Sequence, residues 1–229
     1  KSLLKELLPP LVTRFIRKII LRRKETISYQ GVISPVLMRR LHKGKFSKIH
    51  EKWSSLDGHL NGNTNITRLR VYYTFSFANI AISNTSKGDI LNAGISYGTS
   101  SLVVSELLKN KLKGRIFYFI DPMEGTKNSS RKINVSSRRP YNLDDQIVLN
   151  RWDKDIPLKW IKSYLSPEII NDLPDLSFVH LNTGDFDSEL KSIKIIFEKL
   201  LKGGFIIMDI YGWRNETKKI DELDNLLEL

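Results

Sequence analysis

Gly88-Asp89-Ile90-Leu91-Asn92-Ala93-Gly94-Ile95-Ser96-Tyr97-Gly98-Thr99 decides the fold. The stretch reads as a short apolar strand, Asp89 to Ile95, that runs into a glycine-bearing turn and then opens a helix, Thr99 to Lys109. Glycine at such a turn permits a sharp reversal and lets a ligand approach the backbone closely. A tight strand-to-helix turn with no ligand would use the same two glycines, so the turn alone does not choose between them. A second strand, Arg115 to Asp121, ends about 26 residues downstream in Phe119-Ile120-Asp121. In a nucleotide-binding α/β sheet the acid at that strand end lies beside the glycine turn and accepts hydrogen bonds from ribose hydroxyls. The alternative for Asp121 is a turn acid before Pro122.

Outward from this unit, strands and helices alternate, which predicts an α/β fold: a Rossmann-like, mostly parallel sheet with helices on both faces. Further strands are expected at Gln146 to Asn150, Leu176 to Asn182 and Gly204 to Tyr211. Helices are expected at Ile66 to Ser83, Leu158 to Leu165, Asp187 to Leu201 and Glu216 to Leu229, with Lys202-Gly203-Gly204 as a stop signal before the last strand. Residues 1–64 read as a basic arm followed by a linker or small cap, and residues 65–229 as the main α/β domain. Within the arm, residues 1–24 form a short helix, a break at Pro9-Pro10 and a basic amphipathic helix. The turn-rich Asp57-Gly58-His59-Leu60-Asn61-Gly62-Asn63 belongs to the linker.

Composition narrows the function classes. The chain has 229 residues, enough for one α/β domain and an appendage. It contains no cysteine, which removes disulfides, thiolate metal sites and cysteine nucleophiles and makes a reducing cytoplasmic location the simplest expectation. The net charge of +12 is concentrated in residues 1–50, where thirteen Lys/Arg face only Glu6 and Glu25. A neutral body with a basic arm argues against nucleic-acid binding. The arm suits peripheral contact with an anionic inner membrane surface through residues 1–24, or packing against the body or a partner subunit, and leaves a homo-oligomer open.

The motifs, taken in order, resemble the macrocin O-methyltransferase (TylF-like) branch of class I S-adenosylmethionine (SAM) dependent methyltransferases. Gly88 to Gly94 resembles its Gly-Asp-Leu-(Ile/Val)-Glu-x-Gly, and Asp121-Pro122-Met123-Glu124-Gly125 its Asp-Ser-Phe-Glu-Gly. Asn150-Arg151-Trp152-Asp153-Lys154-Asp155-Ile156-Pro157 is similar to its Lys-Gly-Trp-Phe-x-Asp-(Thr/Leu)-x-Pro. His180-Leu181-Asn182 through Leu190, with Gly203 to Gly212, is similar to its two final strand motifs. The resemblance covers about residues 66–215 and implies SAM as cofactor, held by Asn92, Gly94, Ser96, Gly98, Asp121, Trp152 and Asp153. It also implies an antiparallel hairpin that completes the sheet. Leu229 falls inside an apolar-periodic helix with no stop signal, so that hairpin is expected beyond the sequence read here.

The chain departs from the branch at its acids. Asn92 stands where the branch has Glu, Leu181-Asn182-Thr183-Gly184-Asp185-Phe186 where it has Leu-Asp-x-Asp-Leu-Tyr, and Asp209-Ile210-Tyr211 where it has Asp-Asp-Tyr. The resemblance implies a divalent-metal site at these positions. Asp209 remains in place, Asn182 offers a neutral oxygen and Asp185 is shifted by one, so Mg2+ is expected to bind weakly if at all. Asp209 is the first candidate for general base or residual metal ligand and Asp185 the second. Tyr97 and Trp152 could pack near adenine or be plain core, His180 reads as a buried core histidine, and Tyr211 and Trp213 could line an acceptor pocket.

The expected activity is methyl transfer from SAM to a hydroxyl of a sugar, glycan or other polar metabolite. Two alternatives stay open. The eroded acids suit a catalytically silent SAM-fold binding protein, and the glycine turn with its acid suits an NAD-dependent oxidoreductase that lacks the three-glycine fingerprint.

Overall fold

The computed structural model describes residues 27–28, 31–32, 37, 41–54, 65–123 and 145–209. The chain divides into two compact units, Lys1–Gly44 and Lys45–Leu229. In the first, β1 (Ile27–Ser28) and β2 (Gly31–Val32) form a short antiparallel ladder. The second holds the functional architecture. Expectations for residues 1–24, 57–63, Glu124, Gly125, Tyr211, Trp213 and the helix at 216–229 lie outside the described residues.

Two helices precede the sheet, α1 (Gly44–Ser54) and α2 (Asn65–Asn84). Then follow β3 (Asp89–Ala93), α3 (Thr99–Leu108), β4 (Phe117–Ile120), α4 (Asp145–Leu149), β5 (Leu158–Ile161), α5 (Pro167–Asn171), β6 (Leu176–Leu181), α6 (Phe186–Lys199) and β7 (Leu200–Met208). The five strands pair in the order β5-β4-β3-β6-β7, each pairing parallel. A parallel sheet must be covered on both faces, and the side-chain alternation shows how. Ile90, Phe117, Phe119 and Phe178 join Ala78, Ala81 and Ile82 of α2 and Leu102 and Val104 of α3 in one core layer. Leu91, Ala93, Tyr118, Ile120, Val179 and Leu181 point the other way, to Ile170 of α5 and Ile193 and Ile196 of α6. The small Ala78 and Ala81 bring α2 close against the sheet.

The structure corrects two expected elements. Of Gln146 to Asn150, read as a strand, all but Asn150 lie in α4, and Leu158 to Leu165, read as a helix, begin with β5. Each apolar run is too short for periodicity to choose between helix and strand. Tertiary contacts choose: Leu158 and Trp160 pack on the α2/α3 layer and Ile161 on the opposite one, a period-two pattern at the edge of the sheet, while Val148 seats against Gly98. The expected linker also contains α1, whose Phe46, Ile49 and His50 are buried one helical turn apart. β7 starts at Leu200, directly after α6, and absorbs Lys202-Gly203-Gly204 in a register shift opposite Leu176 to Phe178.

Candidate functional site

The strand order reverses between β3 and β6: β4 and β5 follow on one side, β7 on the other. In such sheets ligands collect in the crevice beyond the carboxyl ends of the strands at that switch point. Four residues expected to act at the site form one row along this edge. Asp121 N donates to Ile161 O at 3.3 Å, Gly94 N to Ile120 O at 2.9 Å, Asn182 N to Ala93 O at 2.8 Å and Asp209 N to Leu181 O at 2.9 Å. Each is the first residue past its strand, so the backbone ladder itself aligns them.

The glycine turn is held from two sides. Gly94 has φ +83°, and a Cβ there would stand 2.1 Å from Asn182 O, so the turn lies directly against the end of β6. Ser96 is also left-handed, at φ 53°. Asp121 holds it: Oδ2 accepts from Ile95 N at 2.6 Å and Ser96 N at 3.3 Å, and Oδ1 accepts from Met123 N at 2.8 Å. The acid expected to face a ribose therefore also clamps the turn. Gly98 precedes α3 without a side-chain cap, which leaves the positive end of that helix toward the crevice.

Asn92 sits one row deeper on the α2/α3 face, where it donates to Ser101 Oγ and its Oδ1 has no hydrogen-bond partner among the described residues. Opposite it in register is His180. A small cavity between them is lined by Thr74, Asn92, Ser101 and His180. Two expected cofactor residues are placed elsewhere. Trp152 is buried against Phe117 and Phe119, with ring centroids 4.9 and 5.0 Å away, and its Nε1 donates to Ile156 O. Asp153 pairs with Lys109 Nζ at 2.6 Å, at the far end of α3. At 1.5 Å per residue that is roughly 15 Å along the helix from Gly98.

The second charged centre was not visible in the sequence. Arg70 of α2 reaches across 139 residues of chain to Asp209, Nη2 to Oδ2 at 2.5 Å, and His180 Nε2 stands 3.3 Å from Oδ1. Burial, the largest single influence on Asp209, pushes its carboxyl up; His180 and Arg70 together override this and hold it at about 2. A carboxylate held so low is a poor proton acceptor near neutrality, which argues against the general-base role expected of Asp209, although its place at the strand end is as expected. Behind it, Glu189 is fully buried and accepts from Thr183 N at 2.9 Å and Thr183 Oγ1 at 2.6 Å. Burial raises its pKa.

Asp209 makes stability acid-sensitive. Its folded pKa is depressed, so its contribution is complete above the ordinary carboxyl value of 3.8 and is lost as pH falls through about 2. The expected loss between pH 5 and pH 2 is about 2 kcal/mol beyond that of Asp209→Asn, measured by urea unfolding at each pH.

These residues do not fit a divalent-cation site. Both Asp209 oxygens face nitrogens. Asp185 caps α6, accepting from Asp187 N, Ser188 N and Ser188 Oγ. Among the described residues no group of three His, Asp or Glu side chains could hold a metal. No described helix is long and apolar enough to cross a membrane.

No family model and no curated protein matches the chain. Solved structures do. The chain is similar to the O-methyltransferase NovP with a TM-score of 0.61, at 16% identity over 80% of this chain and 90% of that one. It is similar to CalS11, a calicheamicin methyltransferase, with a TM-score of 0.52 at 8% identity over 85% of each chain. It also matches apo CalS11, described as a TDP-rhamnose 3'-O-methyltransferase, with a TM-score of 0.52 at 10% identity over 80% of this chain and 85% of that one. The parallel sheet, its covering helices and its switch-point crevice therefore build the Rossmann-like fold of these O-methyltransferases.

Proposed function

We propose that this chain is a SAM-dependent methyltransferase that acts on a hydroxyl of a sugar or another polar small molecule. The observation that carries the reading is the row Asp121, Gly94, Asn182 and Asp209 along the carboxyl edge at the switch point, in a fold shared with sugar and natural-product O-methyltransferases. The residues suit the cofactor. The uncapped start of α3 favours an anionic group such as the carboxylate of its methionine part. Asp121 Oδ1 accepts one backbone bond and retains a lone pair for a ribose hydroxyl. Bound there, SAM supplies an electrophilic methyl group on a sulfonium.

The protein's task is then alignment. The clamped turn fixes the donor side, and the end of β7 fixes the acceptor side, so that the acceptor oxygen meets the methyl carbon along the line of the breaking bond. Asp209, paired with Arg70, serves as a fixed electrostatic element there.

The test is transfer of a labelled methyl group from SAM to a panel of sugar nucleotides, free sugars and hydroxylated metabolites, with the product position read by NMR. Transfer to oxygen is the expected result. A protein that binds S-adenosylhomocysteine yet methylates none of them would be a binding protein instead.

A further inference from the structure

The sharpest departure of this site from a metal centre lies in what surrounds Asp209. Its side chain is 11% exposed, and that of His180 is 3% exposed. The side chain of Arg70 is the most open member of the cluster at 29%. The positive partner of the ion pair is therefore its more accessible one, and it sits beside Asp209, the first residue past β7 at the carboxyl edge of the sheet. Arg70 carries five N–H donors, and among the described residues its side chain donates to Asp209 alone.

We propose that Arg70 is the built-in cation of this site: its guanidinium takes the position beside Asp209 that a divalent ion would need, and it presents a permanent positive charge to the bound acceptor. The proposal rests on the methyltransferase reading for its purpose, but its geometry stands without it.

Three physical points support it. A hard cation requires several oxygen ligands, whereas the acids near the end of β7 are already engaged: Asp209 by Arg70 and His180, Asp185 by the start of α6, Glu189 Oε1 by Thr183. Asp209 is nearly buried and would be costly as a lone charge, so its partner is part of the fold rather than an exchangeable surface pair. Arginine keeps its charge and holds it in a rigid planar fork, which suits it to orient an oxygen where lysine would be a mobile point charge. Arg70 is thus a positioning residue: it fixes Asp209 and the charge at the acceptor end of the crevice.

The experiment is a Mn2+ titration of the whole chain, followed by electron paramagnetic resonance of the free ion, on wild type, Arg70→Met, Arg70→Lys, Asp209→Asn and the double variant Arg70→Met/Asp209→Asn. No SAM is needed, so failure here and failure of the methyltransferase reading are separate results. Wild type, Arg70→Lys and Asp209→Asn are expected to give the same weak background. Arg70→Met, which releases the carboxylate, is expected to bind Mn2+ at least tenfold more tightly, and the double variant to lose that gain. Wild-type Mn2+ binding that disappears in Asp209→Asn overturns the proposal, whether or not Arg70→Met folds. A folded Arg70→Met with wild-type Mn2+ binding overturns it as well.

Discussion

Replacing Gly94 with alanine is expected to cost at least about 3 kcal/mol and to abolish ligand binding at the sheet edge. Two effects add. The residue sits at φ +83°, where an L side chain is strained by about 1–2 kcal/mol. The new Cβ would also stand 2.1 Å from Asn182 O and 2.4 Å from Asn182 C. Those are backbone atoms at the end of β6 and cannot swing aside, so either the turn or the strand end must move. Either movement breaks the row formed by Asp121, Gly94, Asn182 and Asp209. Gly114→Ala is the control, because Gly114 has φ +77° but nothing within 4 Å of a new Cβ. It should lose only the conformational part, about 1 kcal/mol. Urea unfolding of the two variants separates strain from collision, and equal losses would mean that the contact with β6 is unimportant.

Arg115→Met should be as damaging, through a different cause. Arg115 is buried at the amino end of β4 and donates to four carbonyls that close the end of α2 and the following turn. Nη1 reaches Lys87 O at 2.8 Å and Gly88 O at 2.5 Å; Nη2 reaches Thr85 O at 2.5 Å and Ile82 O at 3.4 Å. A helix terminus leaves its last carbonyls without internal partners, and here one guanidinium bonds Ile82 O of the last turn together with three carbonyls of the segment that follows it. Burial lowers its pKa while Asp89 raises it. Methionine keeps much of the volume and removes every donor, leaving buried carbonyls unpaired at an expected cost of about 3–5 kcal/mol. Lysine should recover only part of this, since one ammonium cannot reproduce the fork. Chemical unfolding that shows a loss below about 1 kcal/mol for Arg115→Met would refute this role.

How far the sequence could be read follows from how local each feature is. Asp89 to Asp121 was legible because strand, turn, helix and strand succeed one another within about thirty residues, and the chain order alone puts Gly94 beside Asp121. The alternation that builds two core layers is likewise local to each strand. The segment 146–161 was misread because Gln146-Ile147-Val148-Leu149 and Leu158-Lys159-Trp160-Ile161 are four-residue patterns that either structure accommodates. Only their neighbours, Gly98 for Val148 and β4 for β5, decide between them. The helix at Gly44–Ser54 did leave a trace in Phe46, Ile49 and His50, a stripe hidden among charged residues.

The site divides in the same way. Gly94, Asn182, Asp121 and Asp209 could be chosen from strand ends, because the carboxyl edge of a parallel sheet is predictable once the strands are known. Trp152 and Asp153 could not be placed from their motif: one packs among phenylalanines and the other answers Lys109. The partner of Asp209 was out of reach for sequence reasoning, since Arg70 is one of two arginines on a helix that precedes the sheet, and no spacing rule connects it to β7.

The central claim is that the crevice beside Gly94 and Asp121 binds SAM, and calorimetric titration of the chain with S-adenosylhomocysteine tests it most directly. The account predicts saturable one-to-one binding that NAD does not displace and that Asp121→Ala weakens at least about tenfold, the loss of one charged acceptor. A folded protein with no heat of binding at about 1 mM S-adenosylhomocysteine, and no protection against thermal unfolding at that concentration, would contradict it.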